Sequence, residues 1–95
     1  MLSFDWNVAK ARLNERKHGV SFHEACSVFY DENAVQYFDD VHSNGDERFL
    51  MLGLSNMFRL LIVVHCERDK GETIRIISAR KATAREARYY IRSKR

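Results

Sequence analysis

Arg80 and Lys81 stand where a strand-like run, Ile74-Arg75-Ile76-Ile77-Ser78-Ala79, gives way to Thr83-Ala84-Arg85-Glu86. The last four residues fit a capping box, in which the Thr hydroxyl and the Glu carboxylate each satisfy a free helix N–H. Two cations are therefore expected at the edge of a sheet, beside a helix start. Side-chain charge and unpaired amides there both favour an anion. From Arg75 to Arg95 the chain carries eight Lys or Arg and one acid. Tyr89 and Tyr90 are set among these cations. Aromatic faces interleaved with Arg and Lys suit single-stranded RNA, whose bases stack while its phosphates are neutralised. The bland alternative is a solvated basic helix. The tyrosines, and the convergence of helix cations with Arg80 and Lys81, weigh for the functional reading.

Cleaving RNA asks little of a protein, because the substrate supplies its own nucleophile, the 2′-hydroxyl. The protein must hold the phosphate in line, neutralise charge on the pentavalent state and move protons. Lys10, Lys17, His18, Arg48, Glu67, Arg75, Arg80, Lys81 and Tyr90 form the available pool. The four histidines show no zinc-like spacing, so no metal or other cofactor is expected. His42 falls in a polar loop, and His65 reads as a satisfied strand residue. His18, at a helix C-terminus, reads first as a cap. No nucleophile elbow, phosphate-cradling glycine loop or carboxylate pair is present. The two N-terminal helices are a weak match for a duplex-reading helix-turn-helix.

The elements that must position these residues follow from periodicity. Residues 3–6 can form a short edge strand. Residues 7–18 read as a helix with Trp6, Ala9 and Leu13 on its apolar stripe and Lys10, Asn14, Lys17 and His18 beside it. Gly19 suits its C′ position. A second capping box, Ser21-Phe22-His23-Glu24, opens a helix to about residue 29, facing inward with Phe22, Ala25, Cys26 and Phe29. Strands are expected over 34–38, 48–55, 58–67 and 72–79, the third being central and covered on both faces. Asn44-Gly45, Asn56 and residues 68–71 mark the turns, so the sheet reads as an antiparallel meander of four strands. A last helix, 83–93, is expected to pack through Ala84, Ala87 and Ile91, with Arg85, Arg88 and Arg92 on its flank. The fold class is α+β, one domain over residues 1–95.

Composition sets outer bounds. Of the 95 residues 45% are hydrophobic and 31% charged, as in a folded domain rather than a disordered chain. The net charge is only +3, but residues 31–47 hold six acids and no Lys or Arg. This polarity suits one anionic partner surface. No apolar run approaches membrane length and no signal-peptide plan opens the chain, so a cytoplasmic location is expected. Cys26 and Cys66 read as core thiols.

Two segments carry a family resemblance. Phe4-Asp5-Trp6 with Lys10, Asn14, Lys17-His18-Gly19-Val20-Ser21-Phe22, Glu24-Ala25 and Val28-Phe29 looks like the N-terminal signature of the BrnT toxins. Arg48 before Leu52-Gly53, and Arg75 to Thr83 with Glu86 and Tyr90, resemble its second half. Asp5-Trp6 reverses the family's commoner order, and Ala87 stands where a basic residue is frequent. The resemblance implies a RelE-like, metal-independent endoribonuclease, the toxin of a type II toxin–antitoxin pair that blocks translation. It further implies a BrnA-type ribbon-helix-helix antitoxin in a 2:2 complex, reaching operator DNA only through that antitoxin. On this reading the catalytic candidates are Arg80, Lys81, Lys10, His18, Glu67 and Tyr90. The RNA-binding candidates are Lys17, Arg48, Arg75, Ser78, Arg85 and Arg88. The alternative is a non-catalytic module that binds RNA or only its antitoxin.

Overall fold

The computed structural model describes residues 2–40 and 47–94; His42 and the Asn44-Gly45 turn lie outside them. Strand β1 (Ser3–Asp5) leads into helix α1 (Val8–His18) and helix α2 (Phe22–Ser27), which a 3₁₀ turn, Val28–Tyr30, extends. Strands β2 (Val35–Asp39), β3 (Arg48–Leu54), β4 (Leu60–Arg68) and β5 (Thr73–Lys81) follow, and helix α3 (Ala84–Ser93) closes the chain. The sheet has five strands in the order β1-β5-β4-β3-β2. From β2 to β5 it is the expected antiparallel meander. The expectation of four strands falls short by one, because β1 joins β5 in parallel with Phe4 opposite Ile74. Three residues are too few for alternation to declare that pairing.

The two faces of the sheet are covered differently. On one, Val20, Phe22, Ala25 and Val28 close over Leu61, Val63, Ile74, Ile76 and Ala79, with Phe4, Trp6 and Phe29 packed around them. On the other, Leu52, Ile62 and Tyr90 form a smaller core flanked by Tyr37, Leu50 and Leu60. The larger core is pinned at one end by a buried charge. Ser55 Oγ donates to Glu24 Oε2 at 2.7 Å, and the Arg59 guanidinium donates to both carboxylate oxygens of Glu24 and to the Gly19 carbonyl. The Arg59 bond, ahead of Ser55, holds the Glu24 carboxyl below its usual range against the cost of burial.

Two helices present a different face from the one their apolar residues suggest. In α1, Ala9 is exposed and Leu13 is 59% exposed, while Asn14 is only 8% exposed. The Asn14 amide donates to the carbonyls of Val20 (3.0 Å) and Ala79 (2.9 Å), and its oxygen accepts from the Ala79 N–H (3.1 Å). It thus completes the edge of β5 where β1 has ended. In α3, Ala84 is exposed and Ile91 is 64% exposed, whereas Tyr90 is 4% exposed. The Tyr90 hydroxyl donates to Asp31 Oδ2 at 2.6 Å, which ties the helix to the end of the 3₁₀ turn while its ring packs on Leu52 of β3 and Ile62 of β4. The Thr83–Glu86 capping box forms as expected.

Candidate nucleic-acid interface

Alternation along β5 would place Arg75 and Arg80 on opposite faces, since side chains flip with every residue. The ladder to β4 breaks that count. Val64 pairs with Ser78 but His65 pairs with Ile76, so Ile77 is an extra residue on β5. The bulge has two effects. It keeps Ile74, Ile76 and Ala79 together in the larger core. It also turns Arg75, Ser78 and Arg80 onto the other face, the one that carries α3.

Register then gives that face row by row. Asp39, Arg48, Cys66, Arg75 and Asp5 lie side by side across all five strands. Two residues along β3, the next row is Tyr37, Leu50, Val64 and Ser78. The third is Val35, Leu52, Ile62 and Arg80, roofed by α3. Arg48 and Arg75 are two strands apart, roughly 10 Å. Arg75 Nη1 pairs with Asp5 Oδ1 at 3.2 Å across the edge strand.

Arg80 is held from two sides on this face. Its Nη1 and Nη2 reach Glu86 Oε1 and Oε2 at 2.9 and 3.0 Å, a fork closed between β5 and α3. The same carboxylate accepts from the Thr83 amide at 2.8 Å. The Arg80 bonds, with Thr83 adding, hold the Glu86 carboxyl at about 2. Beside this fork, Tyr37, Leu50, Ile62, Arg85, Glu86 and Tyr89 line a cavity of about 380 Å³. Burial pushes the Tyr37 phenol above its usual range, with the Tyr89 and Glu86 neighbours adding to it.

On the other side of Ser78, Lys10, Lys17 and His18 of α1 line a cleft of about 240 Å³ with Leu13, Asn14 and Ile77. Ser78 belongs both to this cleft and to the middle row of the sheet face, so the two surfaces are continuous. The structure therefore brings Lys10, Lys17 and His18 to Ser78, with Arg80 two residues along β5 on the face that Ser78 shares, Arg75 and Arg48 further along and Arg85 beside the fork. Arg88 is exposed on α3. The end of α1 is closed by Gly19, in the left-handed region, whose N–H reaches the Glu15 carbonyl.

Three expected site residues do not join this group. Lys81 neighbours Arg80 in sequence and so points the other way: its partner is Leu61 of the larger core, and its charge acts on Glu24. Glu67 is five residues along β4 from the partner of Arg80, roughly 17 Å. It lies 3.8 Å from His65 Nε2. Tyr90 is buried, and burial plus the bond to Asp31 push its phenol to about 12, away from proton exchange near neutrality. His65 also departs from expectation. Its ring lies between Phe29 and Phe49, its Nδ1 is 3.4 Å from the Val63 carbonyl, and its Nε2 has no hydrogen-bond partner. Desolvation lowers its pKa. Sequence reasoning passed over Tyr37 and the fork role of Glu86. Tyr37 sits two residues before Asp39 on an alternating strand, the one signal that could have placed it on this face. Among the described residues no group of three or more His, Cys, Asp or Glu is placed to hold a metal, and no helix is long and apolar enough to cross a membrane.

Comparison with known proteins gives the family and the fold. A family model described as "Ribonuclease toxin, BrnT, of type II toxin-antitoxin system" matches residues 6–86. Among solved structures, the Brucella abortus ribonuclease toxin BrnT is similar with a TM-score of 0.65 and 21% identity. The match covers 87% of this chain and 99% of that one, and at this identity it speaks for the fold. No curated protein sequence matches.

Proposed function

The chain belongs to the BrnT family of ribonuclease toxins of type II toxin–antitoxin systems, and from that premise we propose that it cuts RNA on the sheet face beneath α3. The observation that carries this reading is the bulge at Ile77, which sets Arg75, Ser78 and Arg80 on one face, with Ser78 also lining the cleft of the α1 cations. A single strand crossing that face meets positive charge along its length and aromatic rings beside it. The RelE-like chemistry implied by the family is a transesterification. The 2′-oxygen attacks phosphorus, the P–O5′ bond breaks, and a 2′,3′-cyclic phosphate and a 5′-hydroxyl result. No metal is needed, since guanidinium and ammonium groups offset the charge that develops on the phosphate. Arg80 is assigned to that charge with Ser78 at its side. Arg75, Arg48, Lys10, Lys17 and Arg85 hold the strand, and His18 handles the proton at the cleft between α1 and β5.

Such cutting would block translation and would require restraint. A BrnA-type ribbon-helix-helix antitoxin, bound two to two and covering this face, is the partner the family implies. The test is to incubate the purified protein with RNA in the presence of EDTA and to map the ends. Fragments ending in 2′,3′-cyclic phosphate, absent when the scissile ribose is 2′-deoxy, support the reading. RNA that is bound but left intact overturns it in favour of a binding module. Growth arrest on expression, relieved by the neighbouring gene product, tests the antitoxin.

A further inference from the structure

The cavity beside the Arg80–Glu86 fork has a chemistry that phosphate binding does not use. Its floor is Leu50 and Ile62, its wall the rings of Tyr37 and Tyr89, and its rim Arg85 and Glu86. We propose that this cavity is a nucleobase subsite that takes a purine, guanine ahead of adenine, from the strand whose phosphate Arg80 holds. The inference rests on the RNA reading above and deepens it.

Three features select a base. The first is aromatic surface: Tyr37 and Tyr89 have centroids 5.9 Å apart with planes at 44°. That spacing leaves no room between them, so a base lies against the pair rather than within it. The second is size. About 380 Å³ is at the small end for ligand sites, roughly 300–1,000 Å³, and is room enough for a purine. The third is the rim. Glu86 Oε1 accepts two hydrogen bonds, from Arg80 and the Thr83 amide, while Oε2 accepts one from Arg80, so Oε2 can accept again. Arg85 adds a guanidinium fork. A purine offers N7 beside an exocyclic group, and guanine alone offers O6 and N7 together, the two-acceptor edge a guanidinium matches. Its N1–H and amino group supply the donor for Oε2. Pyrimidines lack N7 and present a smaller stacking face.

Position supports the pairing of subsites. Ile62 of the floor is the cross-strand partner of Arg80, and Glu86 belongs to both fork and rim. A phosphate at Arg80 therefore lies within one nucleotide of a base in the cavity.

The test titrates the folded protein with GMP, AMP, CMP and UMP while following the Tyr37 and Tyr89 ring resonances by NMR. GMP is expected to shift both rings and to bind about threefold tighter than AMP and about tenfold tighter than either pyrimidine. Arg85→Ala should bring GMP down to the AMP level, and Tyr89→Ala should weaken all four by about tenfold. Both side chains are exposed, so both variants should keep the wild-type circular dichroism. Equal binding of all four, or shifts confined to the Lys10–Lys17–His18 cleft, overturns the proposal. RNA that is cut while the tyrosines ignore GMP sinks the subsite and leaves the nuclease standing. Guanine-selective binding without RNA cutting does the reverse.

Discussion

Arg80 has five N–H donors, and three are committed: two to Glu86 and one to the Lys81 carbonyl. The two that remain, on a guanidinium oriented by that fork, are what a phosphate would meet. Charge alone is therefore not its role, and the prediction follows. Arg80→Ala should lower RNA cleavage by at least about 100-fold, and Arg80→Lys, which keeps the charge but not the fork, should recover less than a tenth of it. The assay is single-turnover cleavage of a labelled oligonucleotide. The same fork makes a pH prediction. Glu86 sits at about 2 in the folded chain, against 4.5 for a free glutamate side chain, so its stabilisation is present above pH 4.5 and is lost as pH falls toward 2. Arg80 is 39% exposed, which screens the pair, and the contribution is about 1 kcal/mol. Urea midpoints of Glu86→Gln and wild type should differ most at pH 6 and converge near pH 2; a constant gap would assign the loss to packing. At this scale the place of Arg80 near the end of β5 was legible in the sequence because it precedes a capping box. The pairing with Lys81 was not, because adjacent strand residues face opposite ways and only one of two cations can serve one face.

Asn14 is to α1 what the bulge is to β5, a local exception that sets where an element lies. A wheel read through Ala9 and Leu13 turns the helix the wrong way, because hydrophobicity cannot announce an amide that stands in for a strand. Once Asn14 bonds Ala79 and Val20, Lys10, Lys17 and His18 are carried to the cleft beside Ser78. Removing it takes a partner from three buried backbone groups, the Ala79 N–H and the carbonyls of Ala79 and Val20. Asn14→Ala should cost about 3–5 kcal/mol in chemical denaturation, three groups at about 1–3 kcal/mol each with partial relief by water. Asn14→Asp, which can accept from Ala79 but not donate, should recover only part of that. The packing of the 3₁₀ turn on β3 makes a second element-level prediction. A Cβ at Gly53 would fall 2.7 Å from Val28 Cγ1 and 3.1 Å from Ala34 Cβ, so the segments meet with no room to spare. Gly53→Ala should destabilise by about 1–3 kcal/mol, read as a shifted urea midpoint at unchanged slope. The order β2 to β5 and the starts of α2 and α3 were legible from alternation and from the Ser21 and Thr83 caps, although the place of β1 in the sheet was not. At Ser21 only the hydroxyl half of the expected box forms, because Arg59 and Ser55 hold the Glu24 carboxylate. The bulge was not, since one extra residue inside an apolar run leaves no mark on composition.

Charge is distributed over the whole molecule so that one face can attract a polyanion although the net charge is small. Lys10, Lys17, Arg75, Arg80 and Arg85 adjoin the sheet face or its rim, while Lys81 leaves on the side of α2. Arg75 and Arg80 already face carboxylates, so each counts for less than a full charge toward a phosphate. About three or four phosphates' worth of neutralisation is then available. For a single strand, affinity falls with salt at about 0.7 log units per log unit for each phosphate neutralised, giving a slope near −2 to −3. Raising KCl from about 50 to 200 mM should therefore weaken binding of an uncleavable, 2′-deoxy-substituted oligonucleotide by roughly 20–50-fold. Lys10→Gln should reduce the slope by about 0.7, and Lys81→Gln should leave it where it was. Fluorescence anisotropy at four salt concentrations measures both. If Lys81→Gln flattens the line as much as Lys10→Gln does, the strand runs over the α2 side and the face built by the bulge is not the binding surface.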